Sequence, residues 1–295
     1  MHSCSDVKAK VEKIQNLPTI PKVGMKILEL ASDPEVSMSE LSAAIHQDPS
    51  LAARVLKIAN SPFYGMVRQV DSLQLALVVL GLNEVRTVAL GISLFNILKG
   101  MTGHVTYDRK KFWYHSASCG IVARLLARKL EIRNEGTDFI AGLLHDMGKI
   151  IIDEYFGPEF VLIFNKATTH KTTMLQAERE FLGVSHQEIG SWLAEKWRLP
   201  VTLCDTILYH HNLPEAGPSA PKDTRLIALC CVAEAFCQAQ EAGWDGDTGH
   251  NDLHDRRAWQ LLLSGQNRYT PADIDRILGE TVEEYSDARS SILWL

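Results

Sequence analysis

Apolar positions recur every three or four residues through almost the whole chain, and hardly any segment alternates with period two. That pattern predicts one helix after another and no sheet. Val7, Val11 and Ile14 form the first apolar face. Leu17-Pro18-Thr19-Ile20-Pro21 then breaks the chain, and Pro21 suits the first turn of a helix carrying Val23, Ile27 and Leu30. Ser32-Asp33-Pro34 stops that helix. Ser37 and Glu40 have the spacing of a capping box, Asp48-Pro49 starts the next helix, and Asn60-Ser61-Pro62 ends it. Residues 72–79 and 82–98 read as two helices on either side of Gly81. Asp108 can cap a long helix through Leu130, and Thr137 the helix that ends at His145-Asp146. Thr173 with Gln176 and Ser185 with Glu188 are further capping boxes, and Gly183 closes the helix between them. Pro200 precedes a helix ending in His210-His211. Residues 225–239 form a buried helix, 241–257 read as surface loop, and Thr270-Pro271 starts a last helix. The fold is all-α. The polar joint at 100–107 divides it into an N-terminal helical bundle, residues 1–105, packed on a second bundle, 106–240. A loop and helix, 241–295, follow.

With 46% hydrophobic residues in 295, the chain can bury a large core. A formal net charge of −6 argues against a nucleic-acid partner. A helix-turn-helix reading of residues 37–60 fails for the same reason, since those helices are poor in Lys and Arg. The six cysteines include no Cys-x-x-Cys pair and sit in apolar stretches, as buried free thiols of a reducing compartment do. The first residues lack the apolar core of a signal peptide. The most apolar window, 73–98, is interrupted by Asn83, Glu84 and Arg86, which suits a buried helix pair better than a membrane span. A cytoplasmic protein with no membrane partner is the expectation.

The chemistry centres on Gly142-Leu143-Leu144-His145-Asp146-Met147-Gly148-Lys149. Neighbouring side chains on a helix point about 100° apart, so His145 and Asp146 converge only if the helix ends there and the backbone turns. Gly148 is placed to allow that turn. Imidazole with carboxylate suits Zn, Fe, Mn or Ni, and these types do not distinguish among the four. Lys149 offers a point charge for a phosphate oxygen. His115, His186, His210, His211 and Glu234 lie on or at the ends of other predicted helices. Singly each has an ordinary reading: a core histidine at 115, a helix start at 186, a favourable C-terminus at 210 and 211. Glu234 lies in Ala-Leu-Cys-Cys-Val-Ala-Glu-Ala-Phe, where a buried carboxylate needs a partner. Together they can converge on one or two divalent ions in a helical core. Asp245-x-Asp247 is not a calcium loop, because the glycine and glutamate such a loop needs are absent. No nucleophile elbow, phosphate-binding glycine loop or dinucleotide fingerprint appears.

The order His115, His145-Asp146 and a distal acid resembles the HD superfamily of metal-dependent phosphohydrolases. Leu17-Pro18-x-Ile20-Pro21, Ile45-x-x-Asp48-Pro49-x-Leu51, Ala59-Asn60-Ser61 and Ala76-x-x-x-Leu80-Gly81 resemble the signature of the HDOD domain, the HD-related output domain of bacterial signalling proteins. The resemblance spans about residues 14–235 and implies that the second bundle is HD-like. It implies His115, His145, Asp146 and Glu234 as ligands, with His186, His210 and His211 as the additional ligands of dinuclear members. Two departures stand out. Glu234 occupies the place where the superfamily usually has Asp. Asn212-Leu213-Pro214 follows the histidine pair where cyclic-di-GMP phosphodiesterases carry Gly-Tyr-Pro, so that substrate is not supported. HDOD proteins commonly lose HD ligands and are thought to signal without catalysis. Two readings follow: a regulatory module that keeps a metal site and binds a signalling protein or a small phosphate-containing ligand, or an active phosphohydrolase. In the second, the cluster would activate water, Asp146 would bridge two ions, and Lys149 would stabilise the developing charge.

Overall fold

The computed structural model describes residues 4–14, 20–31, 35–60, 64, 66, 68–101, 108–132, 136–170, 172–215, 221–244, 246–247, 252–264 and 269–289. The breaks expected at Leu17-Pro18-Thr19, Ser32-Asp33-Pro34 and Ser61-Pro62, most of the joint at 100–107, and Asp245 lie outside them. Among the described residues there are sixteen helices and no strand. Before the joint come α1 (Cys4–Lys13), α2 (Lys22–Ala31), α3 (Met38–His46), α4 (Pro49–Ala59), α5 (Leu73–Leu80) and α6 (Leu82–Lys99). After it come α7 (Arg109–Lys129), α8 (Thr137–Leu144), α9 (Met147–Tyr155), α10 (Gly157–His170) and α11 (Met174–Leu182). Then follow α12 (His186–Lys196), α13 (Val201–Tyr209), α14 (Thr224–Ala239), α15 (Arg256–Leu262) and α16 (Pro271–Ala288).

Most helix starts are where short-range chemistry puts them. Ser37 and Glu40 close a capping box, as do Thr173 with Gln176, Ser185 with Glu188 and Thr270 with Asp273. Asp48 accepts from the Leu51 amide, and Asp108 from those of Lys110 and Lys111. The start of α8 differs from expectation. Gly136, with φ of 81°, holds the cap position, and Thr137 is already the first helical residue. Helices α9 and α10 fill residues 147–170, a stretch with no element assigned from the sequence. Phe156, Phe160, Ile163 and Ala167 make the buried face of the second.

Helices α7 and α14 are buried along most of their length, which suits central positions. Helix α7 packs against α8, α14 and α16. Helix α6 packs against α2, α4 and α5 and also against α8, so helices from both sides of the joint share one apolar core. Helix α12 packs on α9 and α13. The α7–α8 approach depends on Gly142, where an added Cβ would lie 2.5 Å from the Cys119 carbonyl oxygen. No single described helix is long and apolar enough to cross a membrane; α5 and α6 pass that test only as a pair bent by 120°.

Candidate metal centre

Helix α8 ends at Leu144 and α9 begins at Met147, so His145 and Asp146 form the turn between them. His145 keeps helical angles, while Asp146 has φ −97° and ψ 11°. That bridge-region conformation redirects the chain and aims both side chains into one buried space. The turn is therefore made by Asp146, not by Gly148. Gly148 sits inside α9, where an added Cβ would lie 1.9 Å from the His186 carbonyl oxygen. Its missing side chain lets α9 run against the start of α12 and brings His186 to Asp146.

Three imidazoles surround the Asp146 carboxylate. His186 Nε2 lies 3.3 Å and His210 Nε2 3.5 Å from Oδ1, and His145 Nε2 lies 3.4 Å from Oδ2. His186 and His210 approach each other Nε2 to Nε2 at 3.3 Å. Asp146, His186, His210 and His211 have donor atoms all within 4.8 Å of one another, and so do His145, His210 and Glu234. His211 Nδ1 is 3.5 Å from Glu234 Oε2. His115 joins a third group, with Cys119 and His145, and not the Asp146 group. The expected residues thus gather in one region, but Asp146 is drawn toward the later histidines and away from His115.

The rings are held by their far sides. Nδ1 of His145 lies 2.8 Å from the Gly142 carbonyl and Nδ1 of His210 lies 2.8 Å from that of Ile207. A carbonyl only accepts, so each Nδ1 carries the proton and each Nε2 presents a lone pair inward. His186 Nδ1 donates to Glu178 Oε2 at 2.6 Å. His145 Nε2, Asp146 Oδ1 and His211 Nε2 are buried without a hydrogen bond of good geometry. Buried polar atoms without partners are costly, and atoms that converge suggest a ligand.

Electrostatics sharpen the picture. Burial alone would raise Asp146, but the Lys149 ammonium and His145 overcome it and hold the carboxyl well below its ordinary value. Burial pushes His210 down to about 4, with Asp146 opposing and His145 adding to the fall. Burial and the adjacent His210 and His186 drive His211 well down. Both stay neutral, as ligands must. Burial also pulls on His186, but the Glu178 carboxylate outweighs it and the net shift is upward. Lys149 has no solvent exposure, and its Nζ sits 2.8 Å from Asp146 Oδ2 and 3.3 Å from Asp247 Oδ2.

Three participants escaped the sequence reading. Glu178 lies on the buried stripe of α11 with Met174, Ala177 and Leu182, and a carboxylate on an apolar stripe was the available signal. Cys119 stands one helical turn after His115, with its Sγ 3.4 Å from His115 Nε2. Asp247 belongs to the segment expected to be surface loop. It accepts from the Met174 amide at 2.6 Å as well as from Lys149, while the Ala242 carbonyl faces His115 Nδ1 at 3.2 Å. No local pattern marks that role, because its partners lie far away in sequence.

The HDOD domain family model matches residues 17–213, more than half of the chain. The chain belongs to the HDOD family. A crystal structure of an HDOD domain protein of unknown function from Geobacter sulfurreducens superposes with a TM-score of 0.81 at 30% identity, covering 97% of this chain and 95% of that one. A candidate phosphohydrolase of Shewanella amazonensis SB2B shares the fold at 22% identity, with a TM-score of 0.72 and 99% of both chains covered. A candidate signal transduction protein of Marinobacter aquaeolei VT8 does so at 24% identity and 0.69, covering 98% of this chain and 61% of its own. An uncharacterized protein of Treponema pallidum (strain Nichols) is 29% identical over 252 residues, 82% of this HDOD chain. The chain spans 45% of that relative's length.

Proposed function

We propose that this HDOD protein is a bacterial, cytoplasmic signalling module whose histidine centre holds one or two divalent ions and whose output is the binding of a partner protein or a small phosphate-containing ligand. The observation that carries the metal part is the set of inward-facing atoms without hydrogen bonds, His145 Nε2, Asp146 Oδ1 and His211 Nε2. Asp146, His186, His210 and His211 would hold one ion. A second would fall to His145, which has His115 on one side and Glu234 on the other. Imidazole and carboxylate donors fit Zn, Fe, Mn or Ni. An ion there supplies positive charge and, if water is admitted, a lowered water pKa. The chain's own part is orientation. The Gly142 and Ile207 carbonyls fix two tautomers, Glu178 fixes His186, and Lys149 neutralises one oxygen of Asp146 while Asp247 holds the ammonium in place.

Burial favours the module. His145, Asp146, Lys149, His186 and His210 expose nothing to solvent. The phosphohydrolase reading is favoured by one observation, the Lys149 ammonium beside Asp146, where a phosphoryl group would need positive charge. Elemental analysis tests the shared premise: purified protein should carry metal, and His145→Ala should lower it severalfold with the helical signal intact. Unchanged metal content would defeat the centre. A panel of phosphodiesters and nucleotides with added Mn, Ni or Fe separates the two functions. Turnover that chelator and Asp146→Ala both abolish establishes the enzyme, and inert metal-loaded protein leaves the module.

A further inference from the structure

His145 falls in two candidate groups, but its Nε2 has a single lone pair and can serve one ion. Assigning it with His210 and Glu234 removes His210 from the Asp146 group. Assigning it with His115 and Cys119 leaves Asp146, His186, His210 and His211 intact, so each donor is used once. The second partition also fits the geometry of the tautomers. His115 Nδ1 lies 3.2 Å from the Ala242 carbonyl, which fixes the proton there and leaves Nε2 as the donor. His145 Nδ1 is fixed by Gly142 in the same way. His115 and Cys119 are four residues apart on α7, a spacing that places both on one face. Two ligands of a tetrahedral ion with bonds of about 2.0 Å to nitrogen and about 2.3 Å to sulfur stand about 3.5 Å apart. The Cys119 Sγ to His115 Nε2 distance is 3.4 Å. All three side chains are buried, and His145 Nε2 makes no hydrogen bond.

We propose that Cys119 is a metal ligand, forming with His115 and His145 a thiolate-containing site that takes zinc or another borderline divalent ion in preference to manganese or magnesium. This rests on the metal-centre reading above and adds a sulfur donor to it. On binding, the Cys119 S–H bond breaks, the proton leaves to solvent, and a sulfur–metal bond forms with no change of oxidation state. Thiolate is the donor that discriminates against hard ions, which is why this position should be selective where the Asp146 group is not.

Cobalt(II) substitution of the full chain tests the assignment. The loaded protein should show the near-ultraviolet band of thiolate-to-cobalt charge transfer and bind two equivalents. Cys119→Ser should lose the band and one equivalent, while His186→Ala should lose one equivalent and keep the band. A cobalt-loaded wild type without the band overturns the proposal and leaves the Asp146 centre standing. A band that survives in Cys119→Ser also overturns it, by pointing to another thiol such as Cys237 or Cys230. A wild type that binds no cobalt at all overturns both readings. X-ray absorption at the zinc edge of wild-type protein needs no variant: a sulfur contribution, averaging about half an atom per zinc over two ions, supports the proposal, and a shell of nitrogen and oxygen alone defeats it.

Discussion

Two buried polar clusters share helices α7 and α8, and they are built on opposite principles. Near the N-terminal helices, Arg124 bridges Glu84 of α6 at 2.9 Å and Asp138 of α8 at 3.1 Å. Tyr64 donates to Glu84 at 2.6 Å, and the Phe139 amide donates to Asp138 at 2.7 Å. None of these four side chains has a buried atom without a hydrogen bond. At the other end of the same helices the histidine centre leaves inward-facing lone pairs on His145 and His211. The first cluster is closed: each carboxylate meets a guanidinium arm, and there is nothing left to bind. The second is rich in donors of lone pairs and short of protons or cations. A satisfied network ties helices together, whereas one with converging unsatisfied acceptors is poised for a ligand.

The largest break in this comparison should come from Arg124→Met. It strands two buried carboxylates and should cost about 3 kcal/mol in urea unfolding, since removing one partner of a buried ion pair is strongly destabilising. Metal content should stay at the wild-type level. A parallel fall in metal would mean that the two clusters are one unit.

Gly148→Ala should follow, at about 2 kcal/mol from overpacking of α9 on α12. Here metal content should fall too, because the forced separation moves His186 from Asp146. Preserved metal binding in a destabilised variant would show that the close approach serves packing alone.

Glu178→Gln removes the charge that orients His186 and keeps the shape. Metal affinity, measured by competition with a chromophoric chelator, should drop about 10–100-fold, the usual cost of losing such a support. Unaltered affinity would reduce Glu178 to a hydrogen-bond partner of the α12 start.

The smallest effect is a pH trend confined to the closed cluster. Burial raises Glu84 above its ordinary 4.5 and Asp138 above its ordinary 3.8, with Arg124 opposing in both. Carboxyls raised in the folded state contribute stability that is fully present below their ordinary values and is lost as pH rises through the folded ones. Metal-free wild type should therefore lose stability, relative to Glu84→Gln, as pH rises from the ordinary carboxylate range toward neutrality. Thermal melts across that range, with identical slopes for the two proteins, would remove Glu84 from the account.

The amino-acid sequence by itself determined most of the helices and most of their starts, because the causes act within a few residues. Ser37, Asp48, Asp108, Thr173 and Ser185 each cap amides within three positions, and the 3.6-residue period marks which face is buried. The family was legible in the same local motifs, and the centre's residue types were legible as His and Asp in apolar surroundings. Tertiary structure alone decided how those residues pair. That Asp146 faces His186 and His210 and that Asp247 reaches Lys149 depends on how helices and loops far apart in sequence pack together. Periodicity says that a side chain points inward, but not what it meets there. Gly148 illustrates the limit: read along the chain it is a turn residue, and in the fold it is the place where two helices touch.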